Sequence, residues 1–240
     1  AASRPRGLAA SRPRGLAALC HAVPVSARVP EVVAHRGANE DEPEHSLASY
    51  LLAVHERADA VECDVRLTAD GTLVLVHDRR IDRTSSGRGP VSRPTFDELS
   101  RHDFSGADRW LDFEAPTPDE ARTGVLSLRS MLAAMLSASD TMRFAIETKH
   151  PTRFGRYVEE ELALVLREFG LDAPASPEVS RARLMSFSRT ALRRLNRLVP
   201  AVPTVYLMDR IPRRWRDGSL PEGTCIAGIN VDRLHEDPEY

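Results

Sequence analysis

Acidic, basic and imidazole side chains lie at or near the ends of four short apolar runs in this sequence. Parallel strands bring their carboxyl ends to one mouth of a barrel, so polar residues in such positions meet at a single site. Carboxylates and imidazoles gathered there can hold a metal ion and transfer protons. The residues concerned are His35 and Arg36, Glu62 and Asp64, His77, and Glu147 and Lys149.

The second run carries two carboxylates on one face. Glu62 and Asp64 are two residues apart, and alternate residues of a strand leave the same face. Val61, Cys63 and Val65 form the opposite face, which must pack against helices. Both carboxylates therefore point into the interior, where two like charges need a cationic partner. That partner is either a metal ion or an arginine in an internal salt bridge.

A third carboxylate, Glu147, joins this pair if Phe144 and Ile146 face outward on the fourth run. Three carboxylates without a cysteine suit a hard divalent cation better than zinc. We therefore predict that Glu62, Asp64 and Glu147 hold Mg²⁺ or Ca²⁺.

Two histidines are expected at the same rim. A single histidine at a strand end is more often a satisfied core residue, but His35 and His77 would share the rim with three carboxylates. Such a pair supplies the base and the acid that phosphodiester cleavage needs near neutral pH. The Arg36 guanidinium can donate bidentate hydrogen bonds to phosphate oxygens, although an ordinary surface charge would also explain an arginine at this position. Lys149, the only lysine in the chain, indicates a position that needs a compact ammonium beside the phosphate.

Strand-like and helical patterns alternate from Glu31 onward, which is typical of βαβ units and a parallel sheet. A (β/α)₈ TIM-type barrel fits this pattern better than a doubly wound sheet, because no glycine-rich phosphate loop follows the first strand. The predicted strands are 32–34, 60–67, 73–76, 144–147, 184–187, 204–208 and 226–231. The predicted helices are 47–54, 128–136, 157–169 and 190–198, with a short helix at the capping box of Thr95 and Glu98.

An Asp-Gly turn at residues 69–71 predicts a hairpin between the second and third strands. Such a hairpin would separate Asp64 from His77 unless the chain first leaves the rim and then returns to it. Residues 65–70 can descend for ~20 Å and residues 72–77 can climb the same distance, at about 3.3 Å per residue. His77 is therefore expected back at the rim.

Taken together, these motifs resemble the glycerophosphodiester phosphodiesterase family, whose pattern is an H-R pair, an E-x-D pair and a later H. Here the pattern reads His35-Arg36, Glu62-Cys63-Asp64 and His77, and residues 146–149 match the family's I-E-x-K strand. Segments 33–37, 43–46, 67–71, 76–78 and 82–84 also resemble family motifs, and the similarity covers about 32–240.

The resemblance implies a barrel with a small insertion after the third strand. It implies that Glu62, Asp64 and Glu147 hold a divalent cation, with His35 and His77 as the acid/base pair. The implied reaction is hydrolysis of glycerophosphodiesters to sn-glycerol 3-phosphate and an alcohol, by attack of the glycerol 2-hydroxyl and opening of the cyclic phosphate by water. A phospholipase D-like enzyme that releases a cyclic phosphate from lipids is the alternative within the same superfamily.

The chain is expected to have two segments. Residues 1–30, which begin with an octapeptide written twice, predict a disordered Arg/Ala-rich tail, and residues 31–240 predict an incomplete phosphodiesterase barrel with an insertion at about 78–126. Family members continue past the seventh strand to an eighth strand and a last helix. The barrel is therefore expected to be C-terminally truncated, open at one edge and poorly stable, and an inactive truncated fragment is a third hypothesis. His45 stands where many members have Asn.

Composition favours a small-molecule substrate. The formal net charge of -2 gives no basic excess that would indicate nucleic acid as a partner. The three cysteines, at irregular spacing, predict neither a disulfide framework nor a zinc site, and so a reducing, cytoplasmic location. No apolar run reaches the ~18 residues of a membrane-spanning helix. The sequence does not specify an oligomeric state.

Overall fold

The structure, a computed structural model, describes residues 30–106 and 119–236. The tail predicted at residues 1–30 therefore lies almost wholly outside the described residues. Part of the predicted insertion, 107–118, also lies outside them.

The described residues form one seven-stranded sheet. Six strands run parallel in the order β1-β2-β4-β5-β6-β7, while β3 pairs antiparallel with β2. The register places Asp64 on β2 opposite Glu147 on β4, which brings two of the predicted metal ligands side by side. The strands are β1 (Val33–Ala34), β2 (Ala60–Leu67), β3 (Leu73–Leu75), β4 (Arg143–Thr148), β5 (Ala182–Ser186), β6 (Thr204–Met208) and β7 (Ile226–Ile229).

The third strand corrects the prediction in one respect. β3 is not a parallel member of the barrel, because β4 takes the place next to β2 and pairs with it from Ala60 to Val65. A strand has only two edges, so β1 and β3 share the other edge of β2. The hairpin extends beyond the carboxyl end of the sheet and comes back, instead of descending into it as predicted. The return is as expected, because the Val76 N–H donates to the Asp64 carbonyl at 3.1 Å and His77 follows directly.

The helices follow the predicted pattern to within a few residues, and serine residues fix where three of them begin. The Ser46 hydroxyl accepts from the Ser49 N–H, and Ser127 and Ser188 cap α4 and α6 in the same way. The capping box of α2 is also present. Two short helices, α3 and α7, were not predicted. The helices are α1 (Leu47–His55), α2 (Phe96–Leu99), α3 (Glu120–Thr123), α4 (Leu128–Ala138), α5 (Tyr157–Glu168), α6 (Arg189–Leu198) and α7 (Val231–Glu236).

The main core lies between the outer face of the sheet and the helices. Val61, Cys63 and Val65 of β2 are buried in it together with Phe144 and Ile146 of β4, as predicted. The helices contribute large side chains that are fully buried, and removing such residues from water is the principal stabilising term of the fold. Examples are Tyr50, Leu128, Met131, Leu132, Leu162 and Leu166.

The described part of the insertion has a small core of its own. Val74 and Val76, at and just after β3, pack there with Ile81, Val91 and Leu99. The insertion therefore packs on the β2–β3 hairpin and can hold His77, the residue that follows this hairpin, in a fixed place.

Two further expectations concern cysteine chemistry and membranes. Cys63 is a buried free thiol, but Cys225 is disulfide-bonded, so the expectation that no cysteine forms a disulfide is wrong. Among the residues of 30–106 and 119–236, no helix has the length and apolar character needed to cross a bilayer.

Candidate active site

The loop after β1 is shaped by two residues in the left-handed region. Arg36 has φ 59° and Gly37 has φ 82°. A Cβ atom on Gly37 would lie 2.3 Å from the Ser49 hydroxyl oxygen, so this position requires glycine. The turn directs the Arg36 N–H to a carboxylate oxygen of Glu62 at 3.0 Å, and the Arg36 carbonyl accepts from the His45 N–H at 3.0 Å. The loop therefore fixes one oxygen of the Glu62 carboxylate.

Three carboxylates converge on the inner face of the sheet. Glu62, Asp64 and Glu147 are all buried, and each offers an oxygen within 4.8 Å of the other two. Strand alternation places Glu62 and Asp64 on the same face, and the register of β4 adds Glu147. The structure thus brings together the three predicted metal ligands.

Cations only partly compensate these carboxylates. The Lys149 ammonium lies 3.0 Å from Asp64 Oδ1 and 2.9 Å from Glu147 Oε1, and so bridges the two. Arg36 Nε lies 3.3 Å from Asp64 Oδ2 but is not aligned for a hydrogen bond, and its guanidinium also pairs with Glu44. Two cations, one of them shared, therefore face three buried carboxylates, and the internal salt bridge considered from the sequence does not neutralise the site.

The pKa values of the carboxylates express this shortage of positive charge. Burial and the neighbouring Asp64 raise the pKa of Glu62 to about 8, and burial also raises the pKa of Glu147 to about 7, against the effect of Lys149. Burial acts in the same direction on Asp64, but the hydrogen bond from His45 and the Lys149 charge outweigh it and lower the pKa of Asp64. An oxygen-only site with too little positive charge fits a hard divalent cation.

His45 and Tyr50 support Asp64 from behind. The departure from Asn at His45 indicated altered hydrogen bonding near the metal, whereas the role of Tyr50 was not predicted. His45 Nε2 lies 3.0 Å from Asp64 Oδ2, and Nδ1 lies 2.8 Å from the Tyr50 hydroxyl. Burial lowers the pKa of His45, although the Asp64 carboxylate opposes this, so the ring is neutral near pH 7. A carboxylate accepts only, so Nε2 carries the proton and Nδ1 is an acceptor for the Tyr50 hydroxyl, which has a second acceptor in the Glu62 carbonyl oxygen at 3.2 Å. The shorter contact, at 2.8 Å to Nδ1, supports the tautomer that orients Asp64.

The two histidines predicted for acid/base chemistry lie at the same rim. His35 Nε2 is 3.9 Å from Glu62, and partial burial together with the Arg36 charge lowers the pKa of His35. His77 Nδ1 is hydrogen-bonded to Asp78 at 2.7 Å, which leaves Nε2 as its second ring nitrogen for proton transfer. Burial raises the pKa of Asp78, but hydrogen bonds, above all from Arg83, lower it to about 2, so Asp78 is a permanent anion beside His77.

Arg66 holds the backbone of His77 in place. Its Nε and Nη2 atoms donate to the His77 carbonyl at 3.0 and 2.8 Å. Beside these residues a cavity of about 560 Å³ opens toward solvent. Its lining comprises Arg66, His77, Asp78, Arg79, Arg80, Asp82, Arg83, Glu147, Lys149, His150 and Phe187.

Comparison with known sequences decides the family. Residues 35–234 match the sequence model of the "Glycerophosphoryl diester phosphodiesterase family", and this match includes every residue of the site described above. The chain belongs to this family. The prediction made from the H-R, E-x-D and H motifs is therefore confirmed.

Named relatives of this phosphodiesterase family member are found in several bacteria. A probable glycerophosphodiester phosphodiesterase 1 of Mycobacterium tuberculosis is 44% identical over 216 residues, which is 90% of this chain and 77% of that protein. The glycerophosphodiester phosphodiesterase of Bacillus subtilis is 31% identical over 179 residues, or 74% of this chain and 59% of that protein.

Solved structures agree with the fold. A glycerophosphodiester phosphodiesterase of Agrobacterium tumefaciens is 28% identical, with a TM-score of 0.58 over 75% of this chain and 67% of that one. An Oleispira antarctica phosphodiesterase, solved with its product sn-glycerol-3-phosphate, is 24% identical, with a TM-score of 0.70 over 86% of this chain and 79% of that one. The predicted class, a (β/α) barrel, is confirmed, and the described residues form a curled parallel sheet with helices outside it.

The raised pKa of Glu62 predicts how its replacement changes stability. In the metal-free protein a protonated Glu62 persists to about pH 8 in the folded state, whereas the unfolded chain releases this proton near its ordinary value of 4.5. The stability that this residue contributes is thus present below pH 4.5 and lost as the pH rises toward 8. In EDTA, Glu62→Gln should melt like the wild type near pH 5 and at least ~2 °C higher at pH 8. His35 and His45 oppose this trend in both proteins, which is why the variant is compared with the wild type.

Added Ca²⁺ or Mg²⁺ should reverse the order at pH 8, because Gln removes a charged ligand. The matched control is Glu56→Gln at an exposed position, which should melt like the wild type at both pH values. A difference in melting temperature between Glu62→Gln and the wild type that is the same at pH 5 and pH 8 would contradict the charge argument.

Tyr50→Phe should weaken the binding of Ca²⁺ or Mg²⁺ by about 10-fold, although Tyr50 touches no carboxylate of the site. Without the hydroxyl, the His45 proton can move to Nδ1, which turns a lone pair toward Asp64. Titration calorimetry measures the affinity, and His45→Asn, which keeps an N–H donor, should restore part of it in the double variant. Tyr206→Phe, at another buried tyrosine, is the control. Unchanged metal affinity in a folded Tyr50→Phe protein would show that the tautomer does not matter.

Proposed function

We propose that this protein hydrolyses glycerophosphodiesters to sn-glycerol 3-phosphate and an alcohol in a reaction that depends on a divalent cation. The observation that carries the proposal is the group of three buried carboxylates, incompletely neutralised, with His35 3.9 Å from Glu62 and with His77, Glu147 and Lys149 lining the adjoining cavity. The names of the relatives and the product bound in the Oleispira antarctica phosphodiesterase support the same reaction class. A product of this kind would feed glycerol and lipid metabolism.

The proposed metal ligands are Glu62, Asp64 and Glu147, which present only oxygen atoms and therefore suit Mg²⁺ or Ca²⁺. Such a cation, when bound, neutralises the phosphate and polarises its oxygens. The protein's own part is to keep the ligands ionised and oriented. The Arg36 N–H orients Glu62, and His45 orients Asp64.

Lys149 and Arg36 are the proposed phosphate ligands. The Lys149 ammonium lies between Asp64 and Glu147. A divalent cation at these carboxylates would free the ammonium, which its flexible stem can then turn to a phosphate oxygen. The Arg36 guanidinium lies beside Asp64 on the opposite side from Lys149, and would contact the phosphate from there.

The two histidines share the proton transfers. One imidazole takes the proton from the glycerol 2-hydroxyl, whose oxygen attacks phosphorus and forms a cyclic phosphate. The other imidazole gives its proton to the oxygen of the departing alcohol as the P–O bond breaks. The roles of the two imidazoles then reverse. Water loses a proton to the second imidazole and attacks phosphorus, and the 2-oxygen regains a proton from the first imidazole as the cyclic phosphate opens. Asp78 keeps His77 in a fixed orientation through both steps.

Replacing either histidine tests this scheme. His35→Ala and His77→Ala should each lower kcat for glycerophosphocholine by about 100-fold or more, because each removes one proton transfer. Release of sn-glycerol 3-phosphate with Ca²⁺, with Mg²⁺ and with EDTA is the measurement, and titration calorimetry should show that metal affinity is kept.

The control for these variants is His55→Ala, which removes an exposed histidine at the end of α1 and should leave turnover unchanged. Turnover that persists in EDTA and is unaffected by His35→Ala would overturn the proposed mechanism.

A further inference from the structure

A second, smaller cleft adjoins the active-site cavity. It has a volume of about 20 Å³ and shares three lining residues with the larger cavity, namely Arg66, Arg79 and Lys149. Arg153 lines it as well, and no acidic residue of the described chain does. The lining of the cleft thus includes four cationic side chains and no acidic one, although Lys149 is paired with Asp64 and Glu147 beyond the lining, whereas the larger cavity mixes both signs.

The ion pairs of the arginines at the larger cavity show which cations are available to bind an anion. Arg80 pairs with Asp82, and Arg83 pairs with Asp78 and Glu44. These arginines are therefore committed to partners within the protein.

The arginines of the cleft differ from them. Within residues 30–106 and 119–236, no carboxylate oxygen lies within 4.0 Å of the guanidinium groups of Arg66, Arg79 or Arg153. Arg79 and Arg153 are exposed at the surface. The cleft itself has room for about one water molecule, so an anion would lie at its mouth, where arginines without a carboxylate partner can fork onto phosphate oxygens.

Arg66 fixes where such an anion would lie. Two of its nitrogen atoms are held by the His77 carbonyl, so the guanidinium cannot swing away into solvent.

The cleft lies one side chain away from the proposed metal ligands. Lys149 contacts Asp64 and Glu147 through its ammonium and lines both cavities. A diester phosphate at the carboxylates and an anion at the mouth of the cleft would therefore be close enough to belong to one small substrate, in which a short spacer separates the two anionic groups.

We propose that the cleft of Arg66, Arg79 and Arg153 is a second anion subsite, and that the preferred substrate has an alcohol group with a phosphate of its own. This inference rests on the proposed function and specifies its substrate class. The glycerol phosphate lies at the carboxylates, and the second phosphate, a few bonds beyond the scissile one, lies against the arginines.

A matched pair of substrates tests the proposal, with glycerophosphocholine as the reference. Glycerophosphoinositol 4-phosphate and glycerophosphoinositol differ by one phosphate only. The phosphorylated member should have a KM about 10-fold lower with similar kcat, the size expected of one charge-assisted contact. In the double variant Arg79→Gln/Arg153→Gln, most of this 10-fold ratio between the two KM values should be lost. The variant should keep the wild-type KM for glycerophosphocholine. Arg66 is left intact because it also holds His77.

The control is Arg193→Gln on the exposed side of α6, which should keep the wild-type ratio. Equal KM values for the matched pair in the wild-type protein would overturn the proposal without any variant. A variant whose KM rises equally for all three substrates would also overturn it, because the arginines would then serve the diester phosphate. Failure to hydrolyse any of the three would overturn the proposed function itself, whereas turnover of all three without preference would overturn this inference alone.

Discussion

Three buried carboxylates within 4.8 Å of one another are the constraint on which the rest of this structure depends. Like charges so close together in a protein interior are unfavourable unless a cation neutralises them. The chain offers one ammonium and a shared guanidinium, and the raised pKa values of Glu62 and Glu147 show that this is not enough. A site that repels its own charges is, for the same reason, suited to a divalent cation.

The scaffold keeps this unfavourable group in place by dividing the two faces of β2 between two tasks. The residues that face the helices are apolar and anchor the strand in the core, while the alternate residues carry the charges. Backbone and side-chain contacts then orient each group separately: the Arg36 N–H for Glu62, the Tyr50–His45 pair for Asp64, and Arg66 with Asp78 for His77. Precision at the site thus comes from residues that need never touch the substrate.

The sequence was sufficient for the longer elements and for the residues on each face, because both depend on local periodicity and on caps such as Ser127 and Ser188. It was insufficient for the pairing of strands. The Asp-Gly turn predicted the hairpin, but the predicted direction was wrong, since either direction returns His77 to the rim. The roles of Tyr50 and Arg66 were missed because one fits the apolar stripe of α1 and the other reads as a surface cation. Only His45 gave a signal, as a departure from the asparagine common in the family.

Diffraction at long wavelength from crystals grown with Ca²⁺ tests the central claim most directly. We expect one anomalous peak, from Ca²⁺, about 2.4 Å from oxygen atoms of Glu62, Asp64 and Glu147. The Lys149 ammonium should be displaced from between Asp64 and Glu147. A structure without this peak at saturating Ca²⁺, with Lys149 still bridging the two carboxylates, would contradict it.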